Sequence, residues 1–231
     1  MLPDFIGIGA PKAATTWLAR CLDDHPTVFV ADVKETEFFS WGHTIRDLEE
    51  YESHFAEAGE VQTAGEITTS YLYWDGTAER VYDVLPDVRL FVSLRNPVEQ
   101  VYSHYWHLRR QNFHQEENPR PDSFEEALEM YPDKLLRPAR YAEHLNAWLD
   151  HFDREQLQVI VYNDIQAKPA AVIQDLYQFL DVDAGFEPST IQTRDTSVRR
   201  GTSPRGGVLE RVYTQLYDGL TRHVYHPVKR W

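Results

Sequence analysis

Apolar residues fall into short runs of two kinds. Phe5-Ile6-Gly7-Ile8, Thr27 to Val30, Val88 to Leu94 and Leu157 to Tyr162 are brief and nearly unbroken, as strands buried on both faces are, and Gln62 to Thr68 is a further strand candidate. Between them lie stretches with helical recurrence. Trp17 to Leu22, Asp47 to Phe55, Gly76 to Leu85, Ala170 to Leu180 and Gly207 to Leu220 are predicted helices. Arg140 to Phe152 places Tyr141, Leu145, Trp148, Leu149 and Phe152 on one stripe. His25-Pro26 ends the first helix and Pro86 the third. Pro97 suits the first turn of a helix running through Tyr102, Tyr105 and Leu108. Gln111 to Asp122 is polar, holds two prolines and is predicted as an inserted loop; Gly185 to Arg205 is irregular and basic. Strands alternating with helices predict an α/β fold: a parallel β-sheet flanked by helices on both faces, in a single domain spanning 1–231.

Composition narrows the classes. At 231 residues, with 42% hydrophobic and 26% charged residues, the chain can bury a full core and is neither disordered nor fibrous. Its net charge of −14 argues against broad nucleic-acid binding. The charge is uneven: residues 1–75 hold 4 basic and 14 acidic side chains, and residues 189–231 hold 8 basic and 3 acidic. A local basic cluster can therefore still hold a polyanion. No apolar run approaches the ~18 residues that span a bilayer, and the first residues lack a signal-peptide pattern. A lone cysteine, Cys21, excludes an internal disulfide framework and points to a reducing compartment, so a cytoplasmic location is expected. The histidines are scattered, His104 and His107 lie close together, and no metal is expected.

The first strand runs into Gly9-Ala10-Pro11-Lys12-Ala13-Ala14-Thr15-Thr16 and then a helix. Free N–H groups, the helix dipole and Lys12 suit this P-loop-type turn to be an anion cradle; taken alone, it could equally be a tight strand–helix turn with no ligand. The nucleoside-triphosphate pattern G-x-x-x-x-G-K-[ST] is not met, because Ala13 follows the lysine where a metal-binding hydroxyl is required.

Pro11-Lys12-Ala13-Ala14-Thr15-Thr16-Trp17 resembles the P-K-x-G-T-T-W loop of the sulfotransferases that use 3′-phosphoadenosine 5′-phosphosulfate (PAPS), with Ala14 in place of the usual glycine. Arg95-Asn96-Pro97 with Ser103 resembles that family's R-[DN]-P-x-x-x-x-x-S signature for the 3′-phosphate, although taken alone Arg95 could equally pair with a carboxylate. Arg199-Arg200-Gly201 resembles the R-K-G segment that closes over the nucleotide. Tyr141 to Phe152, Leu157 to Asp164 and Tyr177 to Leu180 resemble scaffold segments. The resemblance implies that Pro11 to Thr16 hold the 5′-phosphosulfate and that Arg95, Ser103, Arg199, Arg200 and Gly201 hold the 3′-phosphate. It also implies that Trp17 stacks on adenine; the competing reading is a core tryptophan.

Lys34-Glu35-Thr36-Glu37-Phe38-Phe39 resembles the E-x-H-F-F segment of the heparan-type glycan enzymes, with Glu37 in place of histidine. Glu35 then matches the proposed general base, and Phe38 and Phe39 pack beneath the cleft; otherwise Glu35 forms a salt bridge with Lys34. Gly65-Glu66-Ile67-Thr68-Thr69-Ser70-Tyr71 aligns with E-K-[TS]-P-x-Y, with Ile67 where that motif has a sulfate-binding lysine. Glu66 is a second candidate for proton transfer or for holding the acceptor; Glu37, His104 and His107 are further alternatives. The implied activity is sulfuryl transfer from PAPS to a hydroxyl or amine by in-line displacement (EC 2.8.2.-), releasing adenosine 3′,5′-bisphosphate (PAP). Lys12 would neutralise the developing charge. The expected acceptor is a small molecule, lipid or glycan carrying a hydroxyl. A phosphoryl-transferring kinase and an inactive nucleotide-binding module are the alternatives.

Overall fold

The computed structural model describes residues 1–40, 48–59, 63–111 and 120–192. Five strands, β1 (Phe5–Gly9), β2 (Val28–Val30), β3 (Thr63–Ile67), β4 (Arg89–Leu94) and β5 (Leu157–Val161), form one parallel sheet in the order β2-β3-β1-β4-β5. β1 lies at the centre, so the turn that follows it opens where the chain switches from one half of the sheet to the other. In open α/β sheets, ligands bind at such switch points.

Alternation along the strands divides the core in two. Ile6, Ile8, Leu90, Val92 and Leu157 face one side and pack with Tyr51 of α2 (Leu48–Ser53), Val81 of α3 (Thr77–Val84) and Leu145 and Trp148 of α7 (Tyr141–Leu149). Phe5, Ile67, Phe91 and Ile160 face the other side. There they pack with Leu18 and Leu22 of α1 (Thr15–Asp23), Ile165 of α8 (Tyr162–Ala167), and Ile173 and Leu176 of α9 (Pro169–Phe179). Two glycines make room for the rings on this second side. A Cβ at Gly7 would stand 2.5 Å from the Phe91 ring, and one at Gly65 would stand 2.4 Å from Phe5. A smaller apolar cluster joins α4 (Pro97–Arg110) to α5 (Phe124–Met130) and α6 (Pro132–Leu136) through Tyr105, Leu108, Phe124 and Leu135.

The predicted α/β sheet with helices on both faces is the observed fold. The sequence pattern missed α5 and α6, which lie between the inserted loop and α7 and are each less than two turns long. It also carried β5 one residue too far, since Tyr162 begins α8. The predicted helix at Gly207 to Leu220 and most of the predicted loop at Gln111 to Asp122 lie outside the described residues.

Candidate active site

The loop after β1 is held from behind by β4 and α4. Gln100 Nε2 donates to the carbonyl of Pro11 at 3.2 Å, Arg95 Nη1 to that of Lys12 at 3.4 Å, and Ser93 Oγ to that of Ala13 at 2.6 Å. Three successive carbonyls are therefore satisfied on the protein side. Lys12 and Ala14 take left-handed backbone angles, φ 65° and 67°. Such alternation makes a concave nest of N–H groups. Ala14 is also the N-cap of α1, with no side-chain oxygen to cap the first turn, and α1 has no acidic residue there. The first-turn N–H groups of Thr15 and Thr16 have no intrahelical partner by construction, so the loop is equipped to take an anion. Ala14 fits, but its Cβ at φ 67° costs about 1 kcal/mol relative to glycine.

Arg95 leaves β4 beside this loop. Its side chain is 6% exposed, its guanidinium lies over the Tyr162 ring at 4.7 Å, and its Nε and Nη2 donate to Glu99 Oε2 at 3.2 and 3.1 Å. The carboxylate alternative is thus occupied in this structure, while the guanidinium still touches the lysine turn. Asn96 caps α4 by accepting from the Val98 and Glu99 N–H groups. Ser103, half-buried, follows Glu99 by one helical turn on the same face.

Glu35 stands at the carboxyl end of the sheet after β2. Its N–H donates to the Ile67 carbonyl at 3.2 Å, and its Oε2 accepts from Thr69 N–H at 2.6 Å and Thr69 Oγ1 at 2.9 Å. Lys34 Nζ lies 3.7 Å from Glu35 Oε1. Glu35 and Glu37 both have left-handed angles, φ 63° and 59°. Their charges lie near Tyr73, whose hydroxyl is pushed up to about 12, first by burial and then by Glu37 and Glu35.

Two expectations need correction. Glu66 is fully buried and accepts four hydroxyls: Thr36 at 2.5 Å and Thr68 at 2.7 Å on Oε2, Tyr51 at 2.7 Å and Tyr71 at 3.1 Å on Oε1. With both oxygens doubly engaged it has no acceptor site left for a substrate proton; it is the hub that fixes the segments around Glu35. Burial outweighs those donors and raises its pKa above the ordinary carboxylate value. Trp17 is 4% exposed and packs in the core with Leu18 and Cys21, because it falls on the inward face of α1. The core reading therefore replaces stacking on adenine.

Among the remaining candidates, Phe39 is buried, and Phe38 stacks on Tyr51 at 4.4 Å. The His104 imidazole is lowered to about 3, chiefly by burial and then by His107 and Lys12, which makes it a weak base near neutrality. Arg199, Arg200 and Gly201 lie outside the described residues. Sequence reasoning missed Ser93, whose signal is a polar residue inside the apolar run Leu90 to Leu94, and Gln100, which follows Glu99 and carries no such signal. Among the described residues, no group of three or more His, Cys, Asp or Glu side chains could hold a metal ion, and no helix is long and apolar enough to cross a membrane.

A family model described as "Sulfotransferase domain" matches residues 2–200. The chain is 28% identical over 198 residues to the bifunctional heparan sulfate N-deacetylase/N-sulfotransferase 1 of Caenorhabditis briggsae, covering 78% of this chain and 23% of that protein. It is 26% identical over 212 residues to the corresponding protein 3 of Mus musculus, covering 84% of this chain and 24% of the relative. The chain therefore spans about a quarter of the length of these curated relatives. A crystal structure of a sulfotransferase from Alicyclobacillus acidocaldarius is similar with a TM-score of 0.82 and 28% identity, over 99% of this chain and 96% of that one. Mouse sulfotransferase SULT7A1 complexed with PAP shares the fold, with a TM-score of 0.65 and 15% identity over 96% of this chain and 85% of that one.

Proposed function

The chain belongs to the sulfotransferase domain family, and on that premise we propose that it transfers the sulfuryl group of PAPS to a hydroxyl or amine of an acceptor. The reading takes residues 1–231 as one such domain. One observation carries it: Arg95, the candidate for the 3′-phosphate, donates to the carbonyl of Lys12 in the anion loop. That contact sets the arginine beside the anion loop, which supports a nucleotide with a phosphate at each end as the ligand.

The residues fit that donor. Lys12, the N–H groups of Ala13 to Thr16 and the hydroxyls of Thr15 and Thr16 would hold its 5′-phosphosulfate, with Pro11 setting the turn. Arg95 and Ser103 would hold its 3′-phosphate, with Arg199, Arg200 and Gly201 completing the seat. When bound, it supplies an activated sulfuryl group and leaves as PAP. Lys12 neutralises the charge that builds on the bridging oxygen. Glu35 Oε1, whose sister oxygen is anchored on Thr69, accepts the acceptor's proton as the acceptor atom attacks sulfur. Glu99 now occupies Arg95; its side chain is 33% exposed and can turn to solvent when a dianion arrives. The excess of acidic over basic residues in positions 1–75 suits a neutral sugar, lipid or small alcohol better than a highly sulfated polysaccharide. A metal-dependent phosphoryl transfer is disfavoured because Ala13, fully buried, follows Lys12.

The test is calorimetric titration with PAP and with adenosine 5′-phosphate. The wild-type chain should prefer PAP, and Arg95→Ala should remove that preference by about 10- to 100-fold, the worth of a charge-assisted phosphate contact. Equal affinity of the wild type for the two nucleotides would overturn the reading.

A further inference from the structure

The mechanism above uses one lysine, and a second stands across the loop from it. Lys34, in the segment after β2, donates from Nζ to Thr16 Oγ1 at 2.7 Å and lies 3.7 Å from Glu35 Oε1. It also lines a shallow cleft of about 230 Å³ between α1 and the ends of β2 and β3, together with Thr16, Arg20, Asp23, Asp32 and Ile67. Ile67 contributes no charge to that wall. We propose that Lys34 is a positioning residue of the donor site, orienting the Thr16 hydroxyl towards the 5′-phosphosulfate and linking that seat to Glu35. The inference rests on reading the loop as the PAPS site.

The direction of the contact decides its consequence. An ammonium only donates, so the Thr16 oxygen is the acceptor and its own proton points away from Lys34. Thr16 is the second residue of α1, beside the N–H groups where an anion is held. A hydroxyl whose oxygen already accepts from a cation is a stronger donor to the next acceptor in the chain. On its other side Lys34 faces Oε1 of Glu35, the oxygen that Thr69 does not hold. One cation thus stands between the anion seat and the proton-accepting oxygen and attracts both. The surrounding sequence makes this charge count: residues 1–75 carry 14 acidic and only 4 basic side chains. The same contacts contribute little to folding, because the Lys34 and Glu35 side chains are 36% and 34% exposed and such pairs are screened.

The experiment titrates PAP, adenosine 5′-phosphate and adenosine 3′-phosphate into the wild-type chain, Lys34→Ala, Lys34→Arg, Thr16→Val and the Lys34→Ala/Thr16→Val double variant. Lys34→Ala should weaken PAP and adenosine 5′-phosphate by about tenfold, as loss of a hydrogen bond to a charged group does, and leave adenosine 3′-phosphate unchanged. Lys34→Arg should recover most of the loss. The double variant should be no more than about twofold worse than either single one, because both act through one hydroxyl. Melting temperatures of the Lys34 variants should match the wild type. If the wild type prefers PAP over adenosine 5′-phosphate but Lys34→Ala binds both as well as the wild type does, the role of Lys34 is wrong while the donor site stands. Fully additive losses in the double variant would equally overturn the coupling through Thr16. A wild type that binds none of the three nucleotides would overturn the donor site itself, and this inference with it.

Discussion

Glu66 offers the sharpest test of the site's architecture, because its two simplest substitutions should behave very differently. Removing the carboxylate in Glu66→Ala leaves the hydroxyls of Thr36, Tyr51, Thr68 and Tyr71 buried without their acceptor. An orphaned buried hydroxyl costs about 1–3 kcal/mol. Some of that is recovered, since Thr36 Oγ1 already lies 2.9 Å from Tyr71 OH and 3.4 Å from Thr68 Oγ1. The net loss should be about 3–5 kcal/mol, and Glu35, the neighbour of Thr36, should lose its position and activity with it. Glu66→Gln keeps the shape and one acceptor oxygen. Hydroxyls can turn to accept from the new amide, and the cost of burying a charge disappears. Its net cost near neutrality should be about 1 kcal/mol or less.

The pH dependence separates the two effects. Because burial raises the folded-state pKa of Glu66 above its unfolded value near 4.5, folding takes up a proton in the window between those two values. Its contribution to stability is therefore full below the unfolded pKa and declines as pH rises through the folded one. The stability of the wild type minus that of Glu66→Gln should fall across this window, by at most about 1.4 kcal/mol per pH unit for one proton. Urea denaturation of both proteins at half-unit steps from pH 4.5 to 8 measures the difference directly. A difference that grows with pH would show that the four donors outweigh burial and that the carboxylate is held as a favourable anion, contrary to the argument.

Two further outcomes follow from the same geometry. Glu35→Gln should keep PAP affinity within about threefold and lower kcat by about 10²- to 10⁴-fold, the range for loss of a general base; undiminished turnover in a sulfuryl-transfer assay would move the base elsewhere. Gly7→Ala should lower stability by about 1–3 kcal/mol in chemical denaturation, because its Cβ would stand 2.5 Å from the Phe91 ring inside a packed face; a neutral result would mean that the ring can retreat.

The strands were legible because strands covered on both faces need apolar residues at every position, and Val88 to Leu94 shows that pattern almost without a break. Their order was not, since β1 pairs with β3 and β4 through crossovers that no local signal encodes. The short helix α5 left only one trace, Ser123 followed three residues later by Glu126. In the structure the Ser123 hydroxyl does accept from the Glu126 N–H at 3.1 Å. The loop and the arginine were visible as motifs, but their meeting through the Lys12 carbonyl depends on tertiary contact. Glu66 misled for the same reason: two of its four donors, Thr36 and Tyr51, come from segments 30 and 15 residues away. A carboxylate in a motif looks the same whether it opens onto a cleft or closes a core.

Backbone conformation carries information that the motifs do not. Lys12, Ala14, Glu35 and Glu37 all sit at φ between 59° and 67°, a region that costs a non-glycine residue about 1 kcal/mol or more. Asp181, at the end of α9, is the other such residue among those described. Glycine would relieve each of these positions. At 14 nothing but a methyl group would be lost, which matches the glycine in the motif that the loop resembles. At 12, 35 and 37 the exchange would delete an ammonium or a carboxylate. Three of these four positions thus carry charged side chains, two of them Lys12 and Glu35, in two turns at the same end of the sheet. The four hydroxyls on Glu66 and the three donors behind the loop supply the contacts that hold those turns in place.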